Sequence, residues 1–499
     1  MINLSVTQKQ YIGLQFIIDL CSPKSAYGKE ALQNLQPFTP EQEGELQRQL
    51  DNIEKTLAHR PLMQTEYRRL EQAFEGVKNL QKSMQKCREG VLGEIDLFEI
   101  KSYLLQLKEI APLFDTINSR AGYAGIVFLD ASPALLLLDP EQSGVATFHI
   151  SGRYSKRLEG IRREKKSVEE QMQKFPFEEI PAQLLDARQA LAFQEEREEQ
   201  SVRASLSGKL RPFIPELLAN AAAIGDLDLT MQKAAVAARF NAGKPLVSKD
   251  CVSFTDMINP QVAEALRGQN KAFTAISVEL RKGATVVTGA NMGGKSIALV
   301  TTALNIALVH YGFYPAAASA ALPLFDFMHI ISDNADPAQA ARAAHGLSSF
   351  GGEVLGINAI VADIERGFTC AFIDEIARGT NPQEGAAIAQ GVTAYLNESR
   401  AISMISTHYD KVARHAGAHY QIIGLKQLDF EALKKQAGNT RGGAGELAKR
   451  AAACMDYNLV LADKTQAPPQ EALNVCHLLG MPPAVLAEIE KIYETTANA

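Results

Sequence analysis

Three stretches of this sequence combine residue types and spacings suited to phosphate chemistry. The first is Gly289-Ala290-Asn291-Met292-Gly293-Gly294-Lys295-Ser296. Its glycines let backbone N–H groups approach phosphate oxygens, and a helix starting at its end adds partial positive charge. Lys295 brings a full charge to the β- and γ-phosphates, and the Ser296 hydroxyl is a magnesium ligand. The second is Ala371-Phe372-Ile373-Asp374-Glu375, an apolar run that delivers two adjacent carboxylates to a strand end. Asp374 suits Mg²⁺, and Glu375 suits the orientation or deprotonation of an attacking water. The third is Ser403-Met404-Ile405-Ser406-Thr407-His408, where His408 stands just past a strand end, within reach of a γ-phosphate. A histidine alone at such a position would more often be structural; its company here favours chemistry. Together the three predict binding of ATP with Mg²⁺ and its hydrolysis to ADP and phosphate.

The elements that must position these residues are legible in outline. Residues 284–288 form a short β-branched run, and residues 295–311 have helical texture, the strand-to-helix context that a phosphate loop needs. Residues 369–373 and 401–406 are further apolar strands. Strand–helix alternation from about residue 245 predicts an α/β domain with a mainly parallel sheet and its ligand at the carboxyl ends of the strands. Before it, residues 1 to about 120 show apolar residues at three- and four-residue spacing among many charges, which reads as helix. Residues 123–149 carry turn signals and read as a break or hinge. Residues 154–199 are dense in both charge signs and read as a long solvated helix pair. Residues 217–240 form an alanine-rich apolar helix. The expected organisation is a helical lever-like domain over 1–244, an ATPase domain over 245–425, a variable basic loop region over 426–468 and a helical element over 469–499. Within the last, two short helices are expected to meet at 480–483.

Bulk properties narrow the setting. The 499 residues exceed one ordinary core, and two or three domains are expected. The net charge is −6, the hydrophobic share 46% and the mean hydropathy −0.10. No apolar run approaches the length of a membrane span, and residues 1–11 lack a signal pattern. The cysteines Cys21, Cys87, Cys251, Cys370, Cys454 and Cys476 lie far apart, which reads as reduced thiols in a cytoplasmic protein. The acidic balance counts mildly against a protein that grips DNA through its phosphates.

The motif strings resemble those of the MutS family. Thr288 to Ser296 is similar to that family's TGPNMGGKS, and residues 374–381 (Asp-Glu-Ile-Ala-Arg-Gly-Thr-Asn) to its DEIGRGTS. Ser406-Thr407-His408-Tyr409 is similar to its ATHY, and Ser348-Ser349-Phe350-Gly351-Gly352-Glu353 to its STFxxE. Residues 224–228 resemble the end of its lever domain. The resemblance implies an ATPase of the ABC class that sandwiches ATP between two subunits. Ser348, and the segment around residues 378–381, would then reach the nucleotide of the partner protomer. The pair would be a homodimer or this chain with a related subunit. Phe273 stands near the family's adenine-stacking aromatic, though ordinary core is an equal reading of it. Residues 471–483 are similar to the family's C-terminal dimerisation element. Ala290 and Ala377 replace the family's usual proline and glycine.

What precedes the phosphate loop is short for a mismatch-recognising member, and the expectation is a chain without that domain. Phe177-Glu178-Glu179 and Phe193-Gln194-Glu195 match the family's Phe-x-Glu wedge only as common tripeptides. The span 167–204, where a DNA clamp would lie, is short and rich in Glu and Gln. These features resemble the MutS-related ATPases that reactivate the cobalamin-dependent lysine 5,6-aminomutase. Three functions follow as expectations: an ATP-driven remodelling factor for a protein client such as that aminomutase, favoured; a DNA-repair-type ATPase; and a nucleotide-gated scaffold.

Overall fold

The computed structural model describes residues 2, 4–249, 251–289, 294–332, 349–378, 380–409, 411–424, 456–464, 476 and 481–497. The chain divides into two compact units. One comprises residues 1–21, 36–51 and 235–499, and the other residues 22–35 and 52–234. The division is thus not a single cut at residue 244, because two N-terminal segments group with the later residues.

The unit built on residues 22–35 and 52–234 is helical. Its long helix Glu94–Ala121 shows how the sequence dictates this. Leu97, Ile100, Leu104, Leu107, Ile110, Phe114 and Ile117 recur at three- and four-residue spacing, and all are buried. The Asp96 carboxylate accepts the Gly93 N–H at 2.9 Å at its start, and Gly122 ends it in the left-handed conformation that glycine adopts without strain. Residues 123–149, read as a break, contain a single described helix, Ser132–Leu138. The charged region forms two helices, Lys156–Met172 and Ala182–Leu210. They are laced by ion pairs: Arg162 with Glu195 at 2.8 Å and Glu199 at 2.6 Å, Lys165 with Glu195 at 2.6 Å, and Arg188 with Glu169 at 3.0 Å. The expected solvated pair is present, and much of its positive charge is matched internally.

The other unit holds two sheets. The six-stranded sheet has the order β10-β9-β4-β8-β7-β6. Its strands are β4 (Gly283–Thr288), β6 (Phe327–Ile331), β7 (Thr369–Asp374), β8 (Ile402–Ser406), β9 (Ala418–Gly424) and β10 (Asp456–Leu461). All neighbours are parallel except β9 and β10. β4 is buried at every residue, as a central parallel strand covered on both faces must be. The helix Gly294–His310 is apolar nearly all round and almost wholly buried, which suits a helix enclosed within the unit. β10 corrects one expectation: it lies inside the 426–468 region read as loop, and it pairs antiparallel with β9, Asp456 facing Gly424. Residues 425–455, which include the glycine-rich basic stretch, lie outside the described residues. Of the first of the two helices expected near the C-terminus only Cys476 is described; the second is Pro483–Ala497.

A second, four-stranded sheet was not anticipated. Its order is β1 (Leu246–Val247), β5 (Ser319–Leu322), β2 (Cys251–Met257) and β3 (Ile276–Arg281), with β2 antiparallel to both β3 and β5. β3 alternates buried and exposed residues, the pattern of a strand with one covered face. Among the described residues no helix is long and apolar enough to cross a membrane. Cys21, Cys87, Cys251, Cys370 and Cys476 are free thiols.

His310 closes the buried helix and is itself fully buried. Its Nδ1 lies 2.9 Å from the Phe38 carbonyl oxygen, and its Nε2 accepts the Phe325 N–H at 3.3 Å. The ring is therefore neutral, with its proton on Nδ1. Burial pushes its pKa from 6.5 down to about 4. Above pH 6.5 the ring is neutral in both folded and unfolded chains and contributes no pH dependence. Below it the unfolded chain takes up a proton that the folded chain refuses. Unfolding free energy should therefore drop by about 3 kcal/mol as pH falls from 6.5 to about 4, and His310→Asn should flatten that part of a denaturation profile.

Candidate functional site

Strand register assembles the site. Val287 of β4 pairs with Ser406 of β8, and Ser406 pairs with Asp374 of β7. Three neighbouring strands thus end at one level, and the residues that follow them emerge together. Gly289 follows β4 with φ +146°, and a Cβ there would come within 2.8 Å of the Ile422 Cβ, so the position needs glycine twice over. Ala290, Asn291, Met292 and Gly293 lie outside the described residues. The helix that follows begins at Gly294, and Lys295 and Ser296 are in its first turn.

Lys295 is buried, and its Nζ donates to the Gly289 carbonyl oxygen at 2.8 Å, folding the side chain back over the loop's start. Burial lowers its pKa, and the Glu375 and Asp374 carboxylates oppose that shift. A buried cation held near two carboxylates is suited to meeting a polyanion. The Ser296 Oγ donates to Asp374 Oδ1 at 3.0 Å, and the Ser406 Oγ donates to the same oxygen at 2.5 Å. A hydroxyl and a carboxylate oxygen therefore stand side by side. Magnesium needs few protein ligands when phosphate and water complete its octahedron, and this pair fits that use. Among the described residues no group of three or more His, Cys, Asp or Glu side chains forms a separate metal cage.

Glu375 occupies a left-handed backbone conformation, φ +53°, and its N–H is shared between the Ser406 carbonyl oxygen at 3.2 Å and Oγ at 3.0 Å. Its carboxylate pairs with Arg378 at 2.9 Å. Ala377 is left-handed too, φ +60°. That conformation explains why a glycine is usual at this point of the resembled motif. His408 is exposed, and its ring lies 4.4 Å from that of Tyr409. Partial burial of the ring lowers its pKa, Glu375 opposes this, and Lys295 and Arg378 add to it. Phe273 lies half-buried in the connection before β3. Ser348 lies outside the described residues.

Several residues of the site were not picked out from sequence. Tyr11, in the N-terminal helix Val6–Ile12, reaches Asp374 Oδ2 at 3.4 Å while accepting from the Ser332 Oγ at 2.9 Å. Nothing local in the sequence signals a contact between residues so far apart. His419 is buried at the flank of the loop: its Nδ1 donates to the Asp463 carbonyl oxygen at 2.7 Å, and its Nε2 accepts from Thr288 Oγ1 at 2.8 Å. Ser406 had been quoted only as part of a string, yet it touches both carboxylate-bearing residues.

The parallel sheet, the strand-end carboxylates and the lysine–serine pair opening a buried helix define the P-loop class of nucleotide-binding domain. Residues 285–496 match the family model described as MutS domain V. An endonuclease MutS2 of Levilactobacillus brevis is 30% identical over 244 residues, 48% of this chain and 30% of the relative. The endonuclease MutS2 of Lactiplantibacillus plantarum is 26% identical over 307 residues, 61% of this chain and 35% of the relative. The DNA mismatch repair protein MutS of Shouchella clausii is 30% identical over 244 residues, 48% of this chain and 27% of the relative. Residues 285–496 are therefore similar to MutS domain V, and the chain is related over part of its length to MutS2 and MutS proteins. It spans about a third of the length of these curated relatives.

Ala377→Gly should relieve the left-handed strain and raise unfolding free energy by about 0.5–1 kcal/mol, read as a higher denaturant midpoint with unchanged slope. A lower midpoint would show that the alanine methyl contributes packing that outweighs the backbone term.

Proposed function

We propose that this chain is an ATP-binding and ATP-hydrolysing switch that works as a dimer. The observation that carries this is the strand register placing Asp374 and Glu375 beside Lys295 and Ser296. Lys295 and the N–H groups of the loop hold the β- and γ-phosphates, while Ser296 and Asp374 hold Mg²⁺. The magnesium-bound triphosphate presents an electrophilic γ-phosphorus. Glu375 would orient a water toward it and take the water's proton on its carboxylate as the water oxygen bonds the γ-phosphorus and the bond to the β–γ bridging oxygen breaks, releasing ADP. For that the carboxylate must exchange its Arg378 partner for the water. We assign His408 a hydrogen bond to the γ-phosphate; its pKa, lowered from the ordinary histidine value, favours the neutral ring. Phe273 is assigned to the adenine. Ser348 of the partner protomer completes the γ-phosphate contacts, which makes closure of the pair depend on nucleotide.

The ATPase acts on a macromolecular client. Two observations bear on which kind. The cations Arg162, Lys165 and Arg188 of the helix pair are engaged by glutamates of the same pair, which leaves them poorly placed to grip a phosphate backbone and favours a protein client. The names of the relatives, an endonuclease and a mismatch repair protein, favour DNA as the second reading. A cobalamin-dependent aminomutase as the client draws no support from these relatives, and the proposal stops at a protein.

Lys295→Ala should abolish tight binding of a fluorescent ATP analogue. Glu375→Gln should retain binding but lower turnover by about 10²-fold or more, and with Mg²⁺-ATP it should sediment as a dimer. Turnover by Glu375→Gln at the wild-type rate would remove the base assignment; a monomer under all nucleotide conditions would remove the dimer. ATPase stimulation by duplex DNA would overturn the preference for a protein client.

A further inference from the structure

The loop that follows Asp374 is held from both sides by groups that play no part in the scheme above. The Ala377 N–H donates to Glu353 Oε2 at 2.7 Å, and the Tyr409 hydroxyl donates to the Ala377 carbonyl oxygen at 3.0 Å. One residue therefore has both its peptide groups fixed by side chains from distant elements. Glu353 belongs to the helix Ser349–Arg366 and is buried; Tyr409 follows β8 and lies in the string that also contains His408. The packing around this clamp is tight. A Cβ added at Gly385 would lie 2.4 Å from the Tyr409 hydroxyl and 3.0 Å from the Ala377 carbonyl oxygen.

The clamp has a physical reason to exist. Glu375 and Ala377 both have positive φ without being glycine, and such conformations persist only where surrounding contacts over-determine them. Left alone, the loop would relax toward ordinary backbone, and the Glu375 side chain would leave the end of β7. The Glu375 N–H is already engaged by Ser406, which fixes one side of that residue. Glu353 and Tyr409 fix the other side two residues further on.

We propose that Glu353 and Tyr409 are positioning residues for Glu375, acting through the left-handed Ala377 peptide and not by touching nucleotide or water. The proposal rests on Glu375 being the base. What Glu353 supplies is an acceptor oxygen at one place, so glutamine can substitute where alanine cannot. Tyr409 supplies a donor, which phenylalanine lacks.

The test compares Glu353→Ala, Glu353→Gln and Tyr409→Phe in the full chain, with Glu375→Gln as control. Glu353→Ala should lower kcat about tenfold or more with KM for ATP within about twofold, since the loss is one of orientation and not of binding. Glu353→Gln should recover to within about threefold of wild type, and Tyr409→Phe should fall between the two. A second readout needs no turnover. Arg378 is an exposed tryptic site at the end of the clamped loop, so native-state cleavage after Arg378 should be severalfold faster in Glu353→Ala and near the wild-type rate in Glu353→Gln. If Glu375→Gln is inactive while Glu353→Ala keeps the wild-type kcat, the positioning role is overturned and the base assignment survives. Equal losses in Glu353→Ala and Glu353→Gln would also overturn it, because the acceptor oxygen would not be what matters. Should Glu375→Gln turn over normally, or the wild type not turn over at all, the functional reading fails, and the cleavage rates alone decide whether the clamp holds the loop. Equal rates there reject it.

Discussion

A buried ammonium group set beside two carboxylates is the constraint around which the sheet-bearing unit is organised. Lys295 is nearly inaccessible to water, and a cation in that setting is costly unless opposing charge or a polyanion is close. The carboxylates come from β7, whose residues reach that place only because β7 and β8 pair so that Asp374 faces Ser406. A slip of one residue would turn Asp374 to the other face of the sheet and separate it from Ser296. The apolar runs of β4, β7 and β8 fix that register through burial, so the hydrophobic core and the charge geometry are one arrangement.

The sequence made part of this legible. Lys295, Ser296, Asp374 and Glu375 sit in short contiguous strings, and strand–loop–helix texture around them could be read from periodicity and glycine spacing. Three strands of the six-stranded sheet, β4, β7 and β8, follow from the same texture, while β6, β9 and β10 do not. Contacts made by residues far apart in the chain were beyond that reading. Tyr11 meets Asp374 across 363 positions, and a tyrosine in an N-terminal helix carries no local mark of such a partner. Glu353 was visible as the last letter of a string, but its acceptor role at Ala377 depends on a backbone dihedral that residue types alone do not reveal.

The second sheet and the division into units escaped for a different reason. β2 and β3 are short, half-covered strands in which a buried face alternates with polar residues, and such runs are weak signals beside the long apolar helices around them. Helical texture over residues 1–51 says that helices form there but not which core they join. Residues 1–21 and 36–51 carry the same amphipathic character as their neighbours in sequence, yet they group with the sheet-bearing unit.

The pairing of Asp456 with Gly424 places the two ends of residues 425–455 directly across from one another in an antiparallel ladder. On the far side of β10, His419 holds the Asp463 main chain. Closing a longer connection between fixed ends adds little entropic cost per added residue. A chain segment of any length can therefore leave and rejoin the sheet between these two strands without altering the register of β4, β8 and β7, so variation in that segment's length need not disturb the strand ends that hold Asp374 and Ser406 together.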